Sequence, residues 1–147
     1  MKEKDFIPQY MKQLADEKEL WWYKIPDSPN SAKKPFDVFG VYKDQKAFAY
    51  EFKLHKSLEV WQLSKVIPFQ VESLRNIAEY GVDARVILGV KFLLSVTQAE
   101  KLGVDKRRVS LIFDMSIEKF CSYREQTKTF NIRECIKEYG VTRVIRE

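Results

Sequence analysis

The stretch FDVFGVYKDQKAFAYEFK, residues 36–53, decides the fold. Phe36 to Tyr42 is rich in aromatic and β-branched residues, and so is Ala47 to Lys53; the polar run Lys43-Asp44-Gln45-Lys46 separates them. Two such runs joined by a short polar turn predict a β-hairpin. Antiparallel pairing returns the end of the second strand to the start of the first. A turn over residues 43–46 sets Asp37 roughly opposite Phe52. Glu51 and Lys53 stand two residues apart, so they share a face of their strand. Asp37, Glu51 and Lys53 are thereby expected within side-chain reach of one another.

Working outward, residues 5–19 place Phe6, Tyr10 and Leu14 on one face, with Ile7 and Met11 beside them, predicting an amphipathic first helix with Pro8 in its first turn. Leu20 to Ile25 predicts a short strand, and residues 26–35 (PDSPNSAKKP) a loop. Beyond the hairpin, Ser57 to Val66 reads as a loop or extended connection, and residues 68–80 as a helix stopped by Gly81. The run ARVILGV, residues 84–90, is continuously apolar, which marks a strand buried on both faces. A strand over Val109–Phe113, a helix over Ser116–Tyr123 and a short helix near Asn131–Tyr139 complete the chain. This order predicts an α/β fold: one domain over residues 1–147, with a mixed central β-sheet flanked by helices.

Composition narrows the chemistry. The chain of 147 residues has 45% hydrophobic and 14% aromatic content, which argues against intrinsic disorder. It has no apolar run near membrane-spanning length, and the start MKEKDFIPQY has no apolar signal core, so neither a membrane span nor a secretory signal is expected. Two cysteines, Cys121 and Cys135, are too few for a disulfide framework or a zinc cluster and suggest free thiols in a reducing, cytoplasmic setting. A single histidine, His55, disfavours triad and multi-histidine metal chemistry. Carboxylate, lysine and divalent-metal chemistry remain. The net charge of +5 favours a polyanionic partner.

Asp37, Glu51 and Lys53 are the candidates for that chemistry. Two carboxylates converging on one point repel unless a cation neutralises them, which makes them a natural site for Mg²⁺ or Mn²⁺. A neighbouring lysine can position a water or stabilise a charged phosphoryl transition state. The plain alternative is a salt bridge on a solvated sheet edge. Against that, Glu51 and Lys53 interrupt an aromatic strand, and six lysines fall between residues 33 and 56.

The segment KKPFDVFGVYKDQKAFAYEFKLHKS resembles the core of the PD-(D/E)xK nucleases, and within them the Holliday junction resolvases of the RecU and archaeal Hjc types. The helix PFQVESLRNIAEYG, the strand ARVILGV and the segment SLIFDMSIEKF…FNIRECIKEYG extend the likeness over most of the chain. The resemblance implies a restriction-endonuclease-like core in which Asp37, Glu51 and the Phe52 carbonyl ligate Mg²⁺, with Mn²⁺ able to substitute. It makes Lys53 the catalytic lysine and Gln70 a site-facing glutamine; otherwise Gln70 is an ordinary helix residue. Ser31, Lys33 and Lys34, in the position of the family's serine-containing loop, and His55 and Lys56 beyond the motif, would contact DNA. The family's first-helix glutamate is matched in position by Gln9, a departure. The implied activity is paired, symmetrical nicking of branched DNA, a four-way junction, by a homodimer, leaving 5′-phosphate ends. Alternatives are another nuclease of the superfamily acting on duplex or flap DNA, a catalytically silent DNA-binding relative, and a general interaction domain. Trp21, Trp22 and Trp61 either fill cores and interfaces or stack on splayed bases. The triplet Lys106-Arg107-Arg108 either binds phosphates or forms a solvated turn.

Overall fold

The hairpin forms as strands β2 (Val38–Tyr42) and β3 (Ala47–His55). Its turn is one residue tighter than the polar run suggested. The Tyr42 N–H donates to the Lys46 carbonyl and the Gln45 N–H to the Tyr42 carbonyl, each at 2.9 Å. The Asp44 side chain accepts from the Lys46 N–H at 2.9 Å. Gln45 occupies the left-handed region at φ 74°. A tight turn of this kind shifts the pairing: Val38 lies opposite Tyr50, and the Asp37 N–H, just ahead of the strand, also donates to the Tyr50 carbonyl. Glu51 and Lys53 share a face of β3, and the Asp37 side chain reaches β3 through the Phe52 N–H.

The computed structural model describes residues 3–27, 34–56, 60–93, 95–103, 108–132 and 143–146. Strand β1 (Leu20–Lys24) is antiparallel to β2. Strand β5 (Asp83–Leu93) is parallel to β3, β6 (Arg108–Ser116) antiparallel to β5, and β8 (Arg143–Arg146) antiparallel to β6. The result is a six-stranded mixed sheet in the order β1-β2-β3-β5-β6-β8. A separate two-stranded ribbon pairs β4 (Trp61–Gln62) with β7 (Thr129–Phe130).

Helix α1 (Glu3–Glu17) covers one sheet face. Its Phe6, Ile7, Tyr10, Met11 and Leu14 pack with Phe48, Tyr50, Phe52 and Ile87. Phe6 and Tyr10 meet the Phe52 ring edge-on at 5.5 and 5.3 Å. Fully burying each such ring stabilises the fold by up to about 3 kcal/mol. Gly89 makes room for Phe6, since a Cβ there would lie 2.8 Å from the ring. Helices α2 (Pro68–Ala78), α3 (Val96–Leu102) and α4 (Ile117–Gln126) belong to the other layer. Val71, Leu74, Ala99, Ile117 and Phe120 there pack with Ala49, Val86, Leu88 and Leu111. Trp61, Phe113 and Phe130 join the same core.

The expected α/β class, with a mixed sheet between helices, is the architecture observed. The apolar run 84–90 is the middle of β5, with Val86, Leu88 and Val90 facing one core and Ile87 the other. Several details differ. The strand expected from Phe36 starts at Val38, and the connection 57–66 contains β4 and a 3-10 turn (Leu63–Lys65). Helix α3, β7 and β8 have no counterpart in the sequence pattern. They are short, and what sustains them is tertiary pairing rather than periodicity. Residues 133–139 of the expected last helix lie outside the described residues. No described helix is long and apolar enough to cross a membrane.

Candidate active site

The site forms where β2 begins and β3 ends. Asp37 is held by main chain on three sides. Its N–H donates to the Tyr50 carbonyl at 3.0 Å, its carbonyl accepts from the Ile25 N–H at 2.8 Å, and its Oδ2 accepts from the Phe52 N–H at 2.8 Å. Its side chain therefore cannot swing to solvent without losing a buried hydrogen bond. Asp37 and Glu51 are 5% and 1% exposed, so both carboxyls lie below the surface. The Lys53 ammonium stands 3.7 Å from Glu51 Oε1.

The other Glu51 oxygen, Oε2, is buried and has no hydrogen-bond partner. Burial, then the hydrogen bond and the negative charge of Asp37, push the Glu51 carboxyl up to about 9, against weaker opposition from Lys53 and Lys34. The shift favours the protonated carboxyl of Glu51 at neutral pH.

Lys34 completes the cluster from the loop side. Its Nζ lies 2.8 Å from Asp37 Oδ1 and 2.5 Å from Asp27 Oδ1, and donates to the Ile25 carbonyl at 3.5 Å. Burial lowers its pKa, but the hydrogen bonds to Asp27 and Asp37 outweigh this and hold the ammonium above the ordinary lysine range. Sequence reasoning assigned Lys34 to DNA and missed its pairing with Asp37. The available signal was the i,i+3 spacing of a lysine ahead of a buried aspartate.

Gln70 is buried on the same layer, but its Oε1 accepts from the Ile67 N–H at 3.2 Å, capping the start of α2. Gln9 is exposed on α1, whose apolar side packs against the opposite face of the sheet from the carboxylates. His55 ends β3 half-buried and Lys56 is exposed just beyond it. Ser31 and Lys33 lie outside the described residues, as do Lys106, Arg107 and Cys135. Arg108 is exposed at the start of β6. Trp61 fills the core against Phe130, Trp22 packs on the α1 side, and Trp21 is exposed on β1.

Two buried carboxyls, one with an oxygen lacking any partner, suit a hard divalent cation, which takes oxygen ligands and would replace the proton on Glu51. Among the described residues no third Asp, Glu, His or Cys joins the pair.

No family model matches the chain, and no curated protein matches its sequence significantly. A solved structure of Hjc from Archaeoglobus fulgidus, a Holliday junction resolvase, matches at 16% identity over 78% of this chain and 92% of that one, with a TM-score of 0.37. Likeness at that level leaves any functional assignment to the chain's own residues.

Proposed function

We propose that this protein is a metal-dependent endonuclease of the PD-(D/E)xK type that cuts branched DNA, and that it resolves four-way junctions as a homodimer. The observation that carries the reading is the buried Asp37–Glu51 pair with Lys53 alongside and Glu51 Oε2 lacking a partner. Asp37 and Glu51 would hold Mg²⁺ or Mn²⁺, with the Phe52 carbonyl as a further ligand. The Phe52 N–H already points at Asp37, and a residue's carbonyl leaves an extended strand on the same edge as its N–H. When bound there, the ion would supply positive charge to the scissile phosphate and to the attacking water. Lys53 orients that water or donates to a phosphate oxygen, and Asp37, fixed by the Phe52 N–H, keeps its ligand geometry through the reaction. Lys34 pairs with Asp37, and His55 and Lys56 follow Lys53 at the end of β3, which makes them the candidates for backbone phosphates. The net charge of +5 supports a grip that is salt-sensitive and indifferent to sequence.

The test is cleavage of a labelled immobile four-way junction in Mg²⁺ or Mn²⁺, with linear duplex, a flap and the Asp37→Asn protein alongside. Paired symmetrical nicks in the junction alone, lost by about a thousandfold or more in Asp37→Asn with binding retained, are the expected result. Cutting of duplex or flap instead moves the protein to another nuclease of the same chemistry. A second reading, a silent DNA-binding relative, draws on the absence of a third acidic ligand among the described residues and on Lys34 already neutralising Asp37. Junction binding with no cleavage and no Mn²⁺ uptake would establish it.

A further inference from the structure

Lys34 touches both carboxylates that flank it, and the mechanism proposed above, whose lysine is Lys53, gives this contact no role. Its ammonium is 2.8 Å from Asp37 Oδ1, 2.5 Å from Asp27 Oδ1 and 3.5 Å from the Ile25 carbonyl. Asp37 Oδ2 accepts from the Phe52 N–H, and Oδ1 faces the Lys34 ammonium. The lysine side chain is 17% exposed, whereas that of Asp27 is 82% exposed. The two anchors therefore differ: Asp37 holds the ammonium inward and Asp27 holds it at the surface.

Resting on the metal site proposed above, we infer that Lys34 is a built-in counter-ion that stands in for the divalent ion on Asp37 and is displaced outward when the ion binds. As a divalent ion arrives at Asp37, the Lys34 ammonium withdraws from that carboxylate while keeping Asp27 as its partner. Two positive charges cannot share Asp37 Oδ1 at contact distance, because their repulsion in a half-buried setting exceeds that of an exposed pair several-fold. The displaced ammonium stays on its loop, beside the site, where a backbone phosphate of the substrate is the available anion. Metal loading and readiness to hold the substrate phosphate are thereby coupled through one side chain.

The experiment is calorimetric titration of the EDTA-treated chain with MnCl₂, comparing wild type with Lys34→Met and Lys34→Arg. Loss of a charge-assisted hydrogen bond to Asp37 should tighten Mn²⁺ binding about ten- to a hundredfold in Lys34→Met. Lys34→Arg, which keeps the charge and can fork onto a carboxylate, should bind no tighter than wild type. The difference should persist at roughly 0.5 M NaCl, because a contact pair is screened far less than a distant charge. Unchanged affinity in Lys34→Met, or a difference that vanishes in salt, overturns the inference while leaving the metal site standing. Failure of both wild type and Lys34→Met to bind Mn²⁺ instead overturns the metal site itself, and the inference with it. Should Lys34→Met not fold, Asp27→Asn decides, since Asp27 is at the surface. Removing the outer anchor should weaken Mn²⁺ binding several-fold, and unchanged or tighter binding refutes displacement towards Asp27.

Discussion

Replacing Glu51 by glutamine should make the metal-free protein more stable, and the gain should depend on pH in a defined direction. In the native chain the Glu51 carboxyl is raised from 4.5 to about 9. A group whose folded pKa is raised contributes stability that is fully present below its unfolded pKa and is lost as pH rises through the folded value. The wild type therefore weakens from about pH 4.5 upwards, because the unfolded chain ionises freely while the folded chain must retain its proton or bury a second charge beside Asp37. At about pH 8 that retention spans roughly three and a half decades of proton activity, at about 1.4 kcal/mol each, or about 5 kcal/mol as a ceiling. The glutamine variant carries no such penalty, and its amide can donate to Asp37 as the protonated carboxyl does. In a chain of this size each kcal/mol shifts the melting temperature by about 2–4 °C. Thermal melts in EDTA should thus show Glu51→Gln level with wild type near pH 5 and above it by about 10–20 °C at pH 8. Saturating Mn²⁺ should reverse the order at pH 5, since a ligand at about a hundred times its Kd adds about 2.7 kcal/mol to the protein that binds it and nothing to the variant that does not. At pH 8 the same ion should narrow the gap. A Glu51→Gln protein no more stable than wild type at pH 8, or a gain equal at both pH values, would refute the reasoning about this carboxyl.

Three further outcomes are expected. Gln45→Gly should raise stability by about 0.5–1 kcal/mol, because Gln45 holds a φ of 74° that glycine adopts without strain; an unchanged or lower chemical-denaturation midpoint contradicts this. Gln70→Ala should lower stability by about 1 kcal/mol through loss of the cap on the Ile67 N–H, and Gln70→Glu, which keeps the acceptor, should restore it. Equal melting temperatures for the two variants would return Gln70 to a purely site-facing role. Lys56→Ala should weaken junction binding at every sequence alike and reduce the slope of log affinity against log salt by about one, as measured by fluorescence anisotropy; an unchanged slope removes Lys56 from the phosphate contacts.

What the sequence by itself determined is the part carried by local pattern. The helical apolar periodicity of α1, the two halves of the hairpin and the continuous run of β5 are short-range signals, each strong enough to survive in the folded chain. The identity of Asp37, Glu51 and Lys53 as the chemical candidates came from the same source, because charged residues inside an aromatic strand are costly without a purpose. Tertiary structure decided what depends on register and distance. The pairing of Val38 with Tyr50 turned on one residue of the hairpin turn, with Gln45 in a left-handed conformation that side-chain type does not announce. The chain alone placed Lys34 in a basic loop, but only the fold brings its ammonium onto Asp37. The capping bond that commits Gln70 to α2, and the packing of α1 on the sheet face away from the carboxylates, are likewise three-dimensional facts. Short elements such as β4, β7 and β8 have too few residues to show a period, and exist because a neighbouring strand supplies the hydrogen bonds they lack on their own.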